Sequence, residues 1–243
     1  MPTLIETGQS ERGWSRLEAV LRCPQYFAYN YLIVDAPSAA SRAPLNRGSL
    51  VHVGLAHLYA RAKCFAEGTD PDEFYDVPTA MLLAAQRYGK EHLELTLAAV
   101  TAYAEHYRET DKSYDVLDVE KLVEATVRGH RFTKRVDLIL RNKRTGRVSL
   151  LDHKGTSRLD KGTERRYRLS GGVLSMHWFG EALYGEEFEG SFLNFIELDD
   201  PFRFKRVSPA PAPAALVELP QTIADADERI ASLSGRDPWH YPR

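Results

Sequence analysis

The sequence is poor in cysteine, in long apolar runs and in net charge. Cys23 and Cys64 are its two cysteines, too few for a disulfide framework, which favours a reducing compartment. It has no basic-then-apolar start and no long apolar run, so we predict neither a signal peptide nor a membrane span. With a net charge of -2 there is no global basicity, so a nucleic-acid partner would have to bind at a local patch. These absences leave an intracellular protein as the expectation.

Apolar residues are plentiful enough for a sizeable core. They make up 43% of the 243 positions, and a chain of this length forms one large domain or two small ones. The pattern is mainly helical over residues 14–114, contains strands and one helix over residues 115–207, and ends with a linker and a helix over residues 208–243. Residues 1–13 are expected to be loose. We predict a single domain over residues 1–243, in which helices flank a mixed sheet of the α/β or α+β class.

Residues 135–154 organise the chain, because they read as two strands joined by a tight basic turn. Residues 135–140 and 148–151 are apolar and β-favouring. Gly146 lies in the intervening turn and suits the positive φ that a hairpin turn requires. The stretch therefore predicts a β-hairpin at the centre of the sheet.

Three charged residues lie within or just after these strands. The hairpin puts Asp137 roughly opposite Asp152, and alternation puts Asp152 and Lys154 on the same side. Acids in apolar strands are unfavourable unless a cation pairs with them, and a divalent metal would do so. On these residues alone, a metal site and an edge hairpin with solvated side chains explain the pattern equally well. A strand-like stretch over residues 115–128 precedes the hairpin and contains Glu124.

His52 lies beside the apolar stripe of a predicted helix, four residues after Gly48. A glycine at that distance would let a neighbouring backbone or a ligand approach closely. The usual explanation of such a histidine is a half-buried, hydrogen-bonded imidazole, and this explanation also stays open. His57 is five residues further on, off the spacing of a two-histidine metal motif on one helix.

The stretch after Lys154 is short of apolar residues and rich in cations. Its members that could contact phosphates or stack on a base are Arg158, Lys161, Arg165, Arg166, Tyr167 and Arg168. A solvated loop that leads into a helix explains the same composition. A DNA-binding surface and an ordinary exposed segment are both consistent with the sequence here.

Several motifs follow one another in an order that resembles a known family. They are Cys23-Pro24 with its aromatic neighbours, Gly48-x-x-x-His52, Arg135-Val-Asp137, Asp152-His-Lys154 and the basic stretch before a helix. This order, over residues 14–206, resembles the PD-(D/E)XK nucleases of the RecB type, which include the RecB and AddB nuclease domains, CRISPR-associated RecB-like exonucleases and phage relatives. The resemblance implies a restriction-endonuclease-like core with an N-terminal helical region inserted before the core hairpin.

The resemblance also implies a metal-dependent DNA nuclease that hydrolyses phosphodiester bonds. It makes His52, Asp137 and Asp152 metal ligands, together with the backbone carbonyl of His153. Lys154 would position and activate the attacking water, so the expected catalytic residues are His52, Asp137, Asp152 and Lys154. Carboxylate and carbonyl oxygens suit Mg²⁺ or Mn²⁺, and the imidazole shifts the preference toward Mn²⁺.

The role implied by this resemblance is exonuclease-type processing of DNA ends in recombination, repair, phage or CRISPR-related DNA metabolism. DNA is the expected partner, together with a helicase or recombination protein, in a cytoplasmic, prokaryotic or phage-type setting without a membrane. Two alternatives remain. One is a catalytically degenerate DNA-binding subunit of a larger nuclease–helicase complex, and the other is a metal-dependent hydrolase of another substrate.

The chain departs from the family pattern after its Asp-x-Lys strand, where a Gln-x-x-x-Tyr on a helix is usual. Gly172 stands at the Gln position and Met176 at the Tyr position, with His177 and Trp178 as nearby substitutes. These departures put the rate and the substrate geometry in question more than the reaction type. They also sustain the DNA-binding alternative.

Many members of the family that this chain resembles hold an iron–sulfur cluster, with one cysteine at the Cys-Pro position and three near the C-terminus. Such a cluster needs four thiolates, and residues 207–243 contain no cysteine. We therefore expect no complete cluster on this chain, and Cys23 becomes an orphan ligand. Either a cysteine-rich tail is missing from the sequence, which the retained Cys23-Pro24 favours, or the cluster was lost and Cys23 is a small buried hydrophobe.

Overall fold

The computed structural model of the chain contains one mixed sheet of five strands in the order β1-β2-β3-β4-β5. The strands are β1 (Tyr114–Val127), β2 (His130–Asn142), β3 (Val148–Thr156), β4 (Phe188–Glu197) and β5 (Phe204–Val207). Neighbouring strands are antiparallel except β3 and β4, which are parallel. Because parallel neighbours need a crossover connection, a helix lies between them in sequence.

Helices come before the sheet, between β3 and β4, and after the sheet. They are α1 (Trp14–Arg22), α2 (Pro24–Tyr31), α3 (Ala43–Glu67), α4 (Val77–Tyr88), α5 (Leu93–Asp111), α6 (Gly171–Tyr184) and α7 (Pro213–Leu233), with short 3-10 turns at Pro71–Glu73, Lys90–His92 and Gly185–Glu187. The structure describes residues 1–33, 43–160, 162, 165, 167, 170–233, 235–238 and 241–242. Within these ranges, none of the helices has the length and apolar character that a membrane crossing requires.

Two hydrophobic clusters lie on opposite faces of the sheet. Ile139 and Leu150 belong to a cluster with buried residues of α1, α2, α6 and α7. Leu138 and Leu151, their neighbours along the strands, belong to a second cluster with α3, α4 and α5. Since successive side chains of a strand point to opposite faces, helices cover the sheet on both sides. The predicted mixed sheet flanked by helices, with a helical region before the core hairpin, is therefore confirmed.

Residues 1–13, predicted to be loose, are attached to the rest of the chain. Ile5 donates its N–H to Nε2 of the buried His57 at 3.1 Å. Arg12 donates its N–H to Oγ1 of Thr133 at 3.2 Å, and the N–H of Thr133 donates back to the carbonyl of Arg12 at 3.2 Å. The prediction is wrong because these partners lie on α3 and β2, far away in sequence, where local patterns carry no information about them.

Cys23 and Pro24 mark the junction between α1 and α2. Cys23 is extended, and its N–H donates to the carbonyl of Ala19 at the end of α1. Pro24 is the first residue of α2, a position where the missing N–H of proline has no cost. Both cysteines of the chain are free thiols. The Cys23-Pro24 pair therefore has a structural explanation that does not involve a cluster.

Asp227 of α7 connects the C-terminal helix to α1 and β2. Its carboxylate accepts hydrogen bonds from Nη1 of Arg16 and from Nδ1 of His130, both at 3.0 Å. Burial opposes ionisation, but the hydrogen bonds from His130 and Arg16 outweigh it and lower the pKa of Asp227. The resulting stabilisation is present above the unfolded pKa of about 3.9 and is lost as the pH falls through the lower folded pKa.

We expect Asp227→Asn to lower the free energy of unfolding by about 1–2 kcal/mol at neutral pH, because two hydrogen bonds to a charged acceptor are weakened. It should also flatten the loss of stability at acidic pH. Asp225→Asn makes the same chemical change at an exposed position of the same helix and is the matched control. Urea unfolding at neutral and acidic pH measures both effects. Equal stability of the two variants at neutral pH would contradict the prediction.

Candidate active site

The predicted hairpin is present, and it brings two acids together. β2 pairs with β3 so that Leu138 faces Leu151, and the same register puts Asp137 opposite Asp152. Both acids are buried, with 8% and 6% of their surfaces exposed. Gly146 has the positive φ expected in the turn, at 73°. Alternation and turn chemistry are local properties, so the sequence was sufficient to place this pair.

A third acid, Glu120, lies in the same row on β1. The β1–β2 ladder puts Lys121 opposite Val136, so Glu120 stands opposite Asp137. Glu120 is 7% exposed and has a positive φ of 50°, a conformation that residues other than glycine rarely adopt. A strained backbone at a buried acid is typical of a functional site.

Glu120 was not predicted as a site residue from the sequence. The acid noted there on this strand is Glu124. Glu124 is exposed and accepts a hydrogen bond from Nη2 of Arg131 at 2.7 Å. The pairing of β1 with β2 shifts register between Val116 and Asp118. That shift lies before both acids, and the pairs from Asp118–Ile139 to Val127–His130 keep one register. By alternation Glu120 and Glu124 would share a face of β1, but the positive φ of Glu120 interrupts the alternation, so the pattern along β1 alone cannot show that Glu120 is buried and Glu124 exposed.

His52 extends from α3 toward these acids. Its Nδ1 atom lies 3.4 Å from Oδ2 of Asp137 and 3.9 Å from Oε1 of Glu120. One ligand atom from each of the three residues lies within 4.8 Å of the others, a spacing that can hold one metal ion. Oε2 of Glu120 is buried and has no hydrogen-bond partner among the described residues. The cluster therefore has an unused ligand atom.

The pKa values within this cluster are strongly shifted. Burial opposes the charged form of His52, but Asp137 and Glu120 outweigh it and raise the pKa of His52 to about 9. Burial raises the pKa of Glu120 to about 7, with a further contribution from Asp137. At neutral pH the imidazole therefore holds a proton. A metal ion bound here would have to displace that proton, because ligands bind in their deprotonated forms.

Asp152 pairs with two lysines. Its Oδ1 lies 3.1 Å from Nζ of Lys134, and its Oδ2 forms a close ion pair with Nζ of Lys154. Burial opposes ionisation, yet Lys154 and Lys134 hold the pKa of Asp152 well below its usual value. Burial likewise opposes the charge of Lys154, but Asp152 and Asp137 raise its pKa. The structure thus brings the predicted Asp152 and Lys154 together and adds Lys134, for which the sequence carries no distinguishing signal.

The backbone and the imidazole of His153 have different partners. Its backbone N–H donates to Oδ2 of Asp137 at 2.7 Å. Its buried imidazole lies 2.9 Å from Nδ2 of Asn194 and stacks on Tyr59, with 6.1 Å between the ring centroids. Burial and the nearby charge of His52 hold the pKa of His153 well below its usual value, so the ring is neutral. A ligand role for its carbonyl oxygen stays a prediction.

A buried hydrogen-bond network extends from Asn194 behind β3. Nδ2 of Asn194 donates to the hydroxyl of Tyr103 at 2.7 Å, and that hydroxyl lies 2.8 Å from the hydroxyl of Tyr59. Arg206 donates to the same hydroxyl of Tyr103 at 3.1 Å and to Asp111 at 2.9 Å. The network joins α3, α5, β4 and β5, and it fixes the imidazole that lies between Asp152 and Lys154 in sequence.

Two of the three acids, Asp137 and Asp152, and both lysines line a cleft of about 610 Å³, whereas Glu120 is not among its lining residues. From the predicted set, the lining includes His52, Asp137, Asp152, His153 and Lys154. The lining also includes residues 7–10 of the N-terminal segment, the beginnings of α1, α3 and α6, and Tyr167. Two buried carboxylates and two ammonium groups thus share one cavity, which offers both ligands for a metal ion and cations for an anionic group.

The basic stretch after β3 is described only in part. Lys161, Arg166 and Arg168 lie outside the described residues. Tyr167 lines the cleft, and its ring centroid lies 5.9 Å from Nζ of Lys154. Arg158 and Arg165 are exposed. The structure therefore brings Tyr167 to the acids, whereas contacts of the cations with DNA stay predictions.

α6 directs the expected substitutes for the Gln-x-x-x-Tyr motif away from the cleft. Gly172 lines the cleft, but Met176 is fully buried. His177 lies 3.4 Å from Glu181, and Trp178 packs against the hydrophobic core. Neither ring lines the cleft, so the expectation that they substitute there is wrong. They follow Gly172 by five and six residues, which rotates them by roughly 140° and 240° around the helix.

Comparison with known proteins identifies a family and a solved structure with a similar fold. The model of the PD-(D/E)XK nuclease superfamily matches residues 14–175. The crystal structure at 2.19 Å resolution of a protein from Eubacterium rectale, provisionally described as an exonuclease, has a TM-score of 0.56 and 12% identity, and the match covers 91% of this chain and 80% of that chain. At this identity the likeness shows the fold alone.

Two further comparisons add nothing to that result. The structure of SSO0001 is 16% identical over 76% of this chain and 77% of that chain, but its TM-score of 0.36 is too low to bear on the fold. No curated protein matches significantly. The family match, in contrast, spans the elements that carry His52, Glu120, Asp137, Asp152 and Lys154. This chain belongs to the PD-(D/E)XK nuclease superfamily.

Proposed function

We propose that this nuclease is a Mg²⁺- or Mn²⁺-dependent deoxyribonuclease that hydrolyses phosphodiester bonds at DNA ends, as an exonuclease does. The observation that carries the proposal is the row of buried acids across three strands, Glu120, Asp137 and Asp152. His52 lies beside the first two acids and Lys154 beside the third. This arrangement supplies metal ligands and a cation around a single cleft.

His52, Glu120 and Asp137 would hold the ion, because their ligand atoms already converge and Oε2 of Glu120 has no other described partner. Asp152 and the carbonyl oxygen of His153 are proposed as further ligands. Carboxylate oxygens with one imidazole suit Mg²⁺ or Mn²⁺. When bound, such an ion polarises the scissile phosphate and lowers the pKa of the attacking water.

Lys154 is proposed to hold the attacking water and to stabilise the negative charge that develops on the phosphate. Its ammonium stays charged because Asp152 and Asp137 raise its pKa against the effect of burial. Its side chain is 30% exposed and lines the cleft. Asp152 orients the ammonium through their ion pair. A charged donor positioned in advance in a sheltered site is among the most effective forms of electrostatic catalysis.

Incubation of labelled linear duplex, circular duplex and single-stranded DNA with Mn²⁺ or with EDTA tests the proposal. We expect linear molecules to be shortened with Mn²⁺, circles to be spared, and no cleavage with EDTA. Asp152→Ala, purified in parallel, controls for contaminating nucleases. Cleavage of circles at the rate of linear DNA would contradict the exonuclease mode, and absence of all cleavage would contradict the proposal as a whole.

A catalytically degenerate DNA-binding subunit is the second candidate. The pairing of Asp152 with Lys134 and Lys154 favours it, because the two ammonium groups neutralise this carboxylate without a metal. Retention of DNA without cleavage in Mn²⁺ would support this candidate. For either function, we propose a helicase or recombination protein as the partner that supplies DNA ends.

The basic stretch after β3 is proposed to bind DNA phosphates. Neutralising Arg158, Lys161 and Arg165 together should flatten the dependence of log affinity on log salt by about two to three units, because each phosphate contact releases counterions. Three exposed cations on and between the helices α4 and α5 are the matched control, namely Arg87, Lys90 and Arg108. Fluorescence anisotropy at several salt concentrations measures the slope. If the first triple variant keeps the wild-type slope, the stretch is an ordinary solvated segment.

A further inference from the structure

The wall of the cleft carries two aromatic rings that the proposed chemistry does not use. Trp14, the first residue of α1, and Tyr167 both line the cleft that contains Asp152 and Lys154. Tyr167 packs edge-on against Phe195, with 5.4 Å between ring centroids. This contact holds the tyrosine ring beside the ammonium of Lys154.

Two glycines make room for Trp14. A Cβ atom on Gly171 would lie 2.0 Å from the indole ring, and one on Gly172 would lie 3.9 Å from it. The indole therefore rests directly on the backbone at the start of α6, where a larger side chain at residue 171 would displace it. Consecutive glycines disfavour a helix, so their presence in this turn is explained by the tryptophan that they accommodate.

Packing explains the position of the Trp14 ring but gives its indole N–H no hydrogen-bond partner. Its Nε1 atom is buried and has no hydrogen-bond partner among the described residues, although the N–H of a buried tryptophan usually finds an acceptor. The first turn of α6 presents backbone N–H groups, which are donors as well. An acceptor for this N–H would therefore have to lie outside the described residues.

We propose that Trp14 and Tyr167 form a base-stacking subsite for the unpaired end of single-stranded DNA, and that this end presents its phosphodiester to the acids and Lys154. The proposal rests on the nuclease function proposed above and adds its substrate class. Bases of a duplex are stacked on their neighbours, whereas bases of a single strand are free to stack on aromatic rings, whatever their identity. Lys154 beside Tyr167 supplies a cation for the adjacent phosphate.

The size of the cleft agrees with this substrate. Its volume of about 610 Å³ lies within the range of pockets for small ligands, roughly 300–1,000 Å³. A pocket of this size takes a nucleotide or a few, and the two acids that line it, Asp137 and Asp152, are buried. A single strand can pass its backbone into such a cleft, whereas the paired strands of a duplex would have to separate first.

Cleavage of two single-stranded oligonucleotides in Mn²⁺ tests the proposal, one with normal terminal nucleotides and one with abasic sites there. At subsaturating DNA, the wild type should cut the abasic oligonucleotide about tenfold more slowly or worse, because the stacking contribution is lost. Trp14→Leu should cut both at similar, reduced rates, and Trp14→Phe, which retains a ring, should keep most of the discrimination. A variant that is merely destabilised loses activity equally on both DNAs.

Controls come from aromatic residues outside the cleft. Trp178→Leu removes an indole that packs on the core, and Tyr26→Leu removes an exposed tyrosine of α2. Both should keep full discrimination. Thermal melting shows which variants are folded, and Tyr167→Leu serves as the second test variant should Trp14→Leu fail to fold.

Full discrimination in the folded Trp14→Leu and Tyr167→Leu variants would overturn the stacking subsite and leave the nuclease function standing. Faster cleavage by the wild type of blunt duplex than of single strands would do the same. Absence of cleavage by the wild type would overturn the proposed function and the subsite together.

Discussion

Lys154→Met is expected to abolish DNA cleavage while leaving Mn²⁺ binding nearly unchanged. The substitution keeps an unbranched side chain one atom shorter and removes the ammonium that is paired with Asp152 inside the cleft. The fold should survive, because Lys134 still neutralises the carboxylate of Asp152. Removal of one preorganised electrostatic group from a site of this kind typically lowers the rate by about 10²–10³. Single-turnover cleavage of linear DNA measures the rate, and calorimetry measures Mn²⁺ binding.

Lys134→Met is the matched control for this variant. It removes the other ammonium from the same carboxylate, so it changes the charge of the site by the same amount. We expect a smaller loss of cleavage, because only Lys154 is proposed to hold the water. Asp152→Ala should abolish cleavage and, in contrast to Lys154→Met, also weaken Mn²⁺ binding. Cleavage at the wild-type rate by Lys154→Met would remove that residue from the mechanism.

Glu120→Gln is expected to lower the affinity for Mn²⁺ by at least about tenfold, and cleavage with it. Loss of a group that only supports a ligand typically costs about 10–100-fold in metal affinity, so loss of a ligand itself should cost no less. The amide has the shape of the carboxylate and removes the charge that faces His52 and Asp137. Stability without metal should not fall, because two neighbouring buried carboxylates no longer repel each other.

Glu124→Gln is the control on the same strand, four residues further on and exposed. It should bind Mn²⁺ and cut DNA as the wild type does. The shift in melting temperature on addition of Mn²⁺ is a second readout, because a ligand that binds only the folded state stabilises it. Unchanged Mn²⁺ affinity in Glu120→Gln would show that the ion binds elsewhere in the cleft.

The parts of this site that the sequence could predict are local. Asp137, Asp152 and Lys154 lie within one hairpin, where alternation and a glycine turn determine which side chains share a face. His52 lies on α3, outside the hairpin. It was predicted because the order of motifs resembles that of the RecB-type nucleases. Its position near Asp137 follows from the packing of α3 on the sheet, which no periodicity encodes.

The parts that the sequence could not predict depend on contacts between distant segments. Glu120 is buried next to His52 and Asp137 because a positive φ interrupts the alternation of β1 at this residue, and its neighbours in sequence give no sign of that backbone conformation. Trp14 reaches the cleft because Gly171 leaves space for its ring. In the sequence, Gly172 is recognisable only as a departure from the Gln-x-x-x-Tyr motif, and nothing there shows that Gly171 and Gly172 lie against Trp14. In each case the information lies in a pair of residues and in neither one alone.

The attachment of the N-terminal segment bears on the order in which the site folds. The three acids come from successive strands, and β1 turns into β2 over only Arg128 and Gly129, both with positive φ. The wall that carries Trp14 depends instead on Arg12 and Thr133, which are 121 residues apart. Closing a long loop costs entropy before its contacts can compensate, so such pairings tend to form late. We therefore expect the three acids to come together early, in the β1–β2–β3 meander, and the wall that carries Trp14 to be added later.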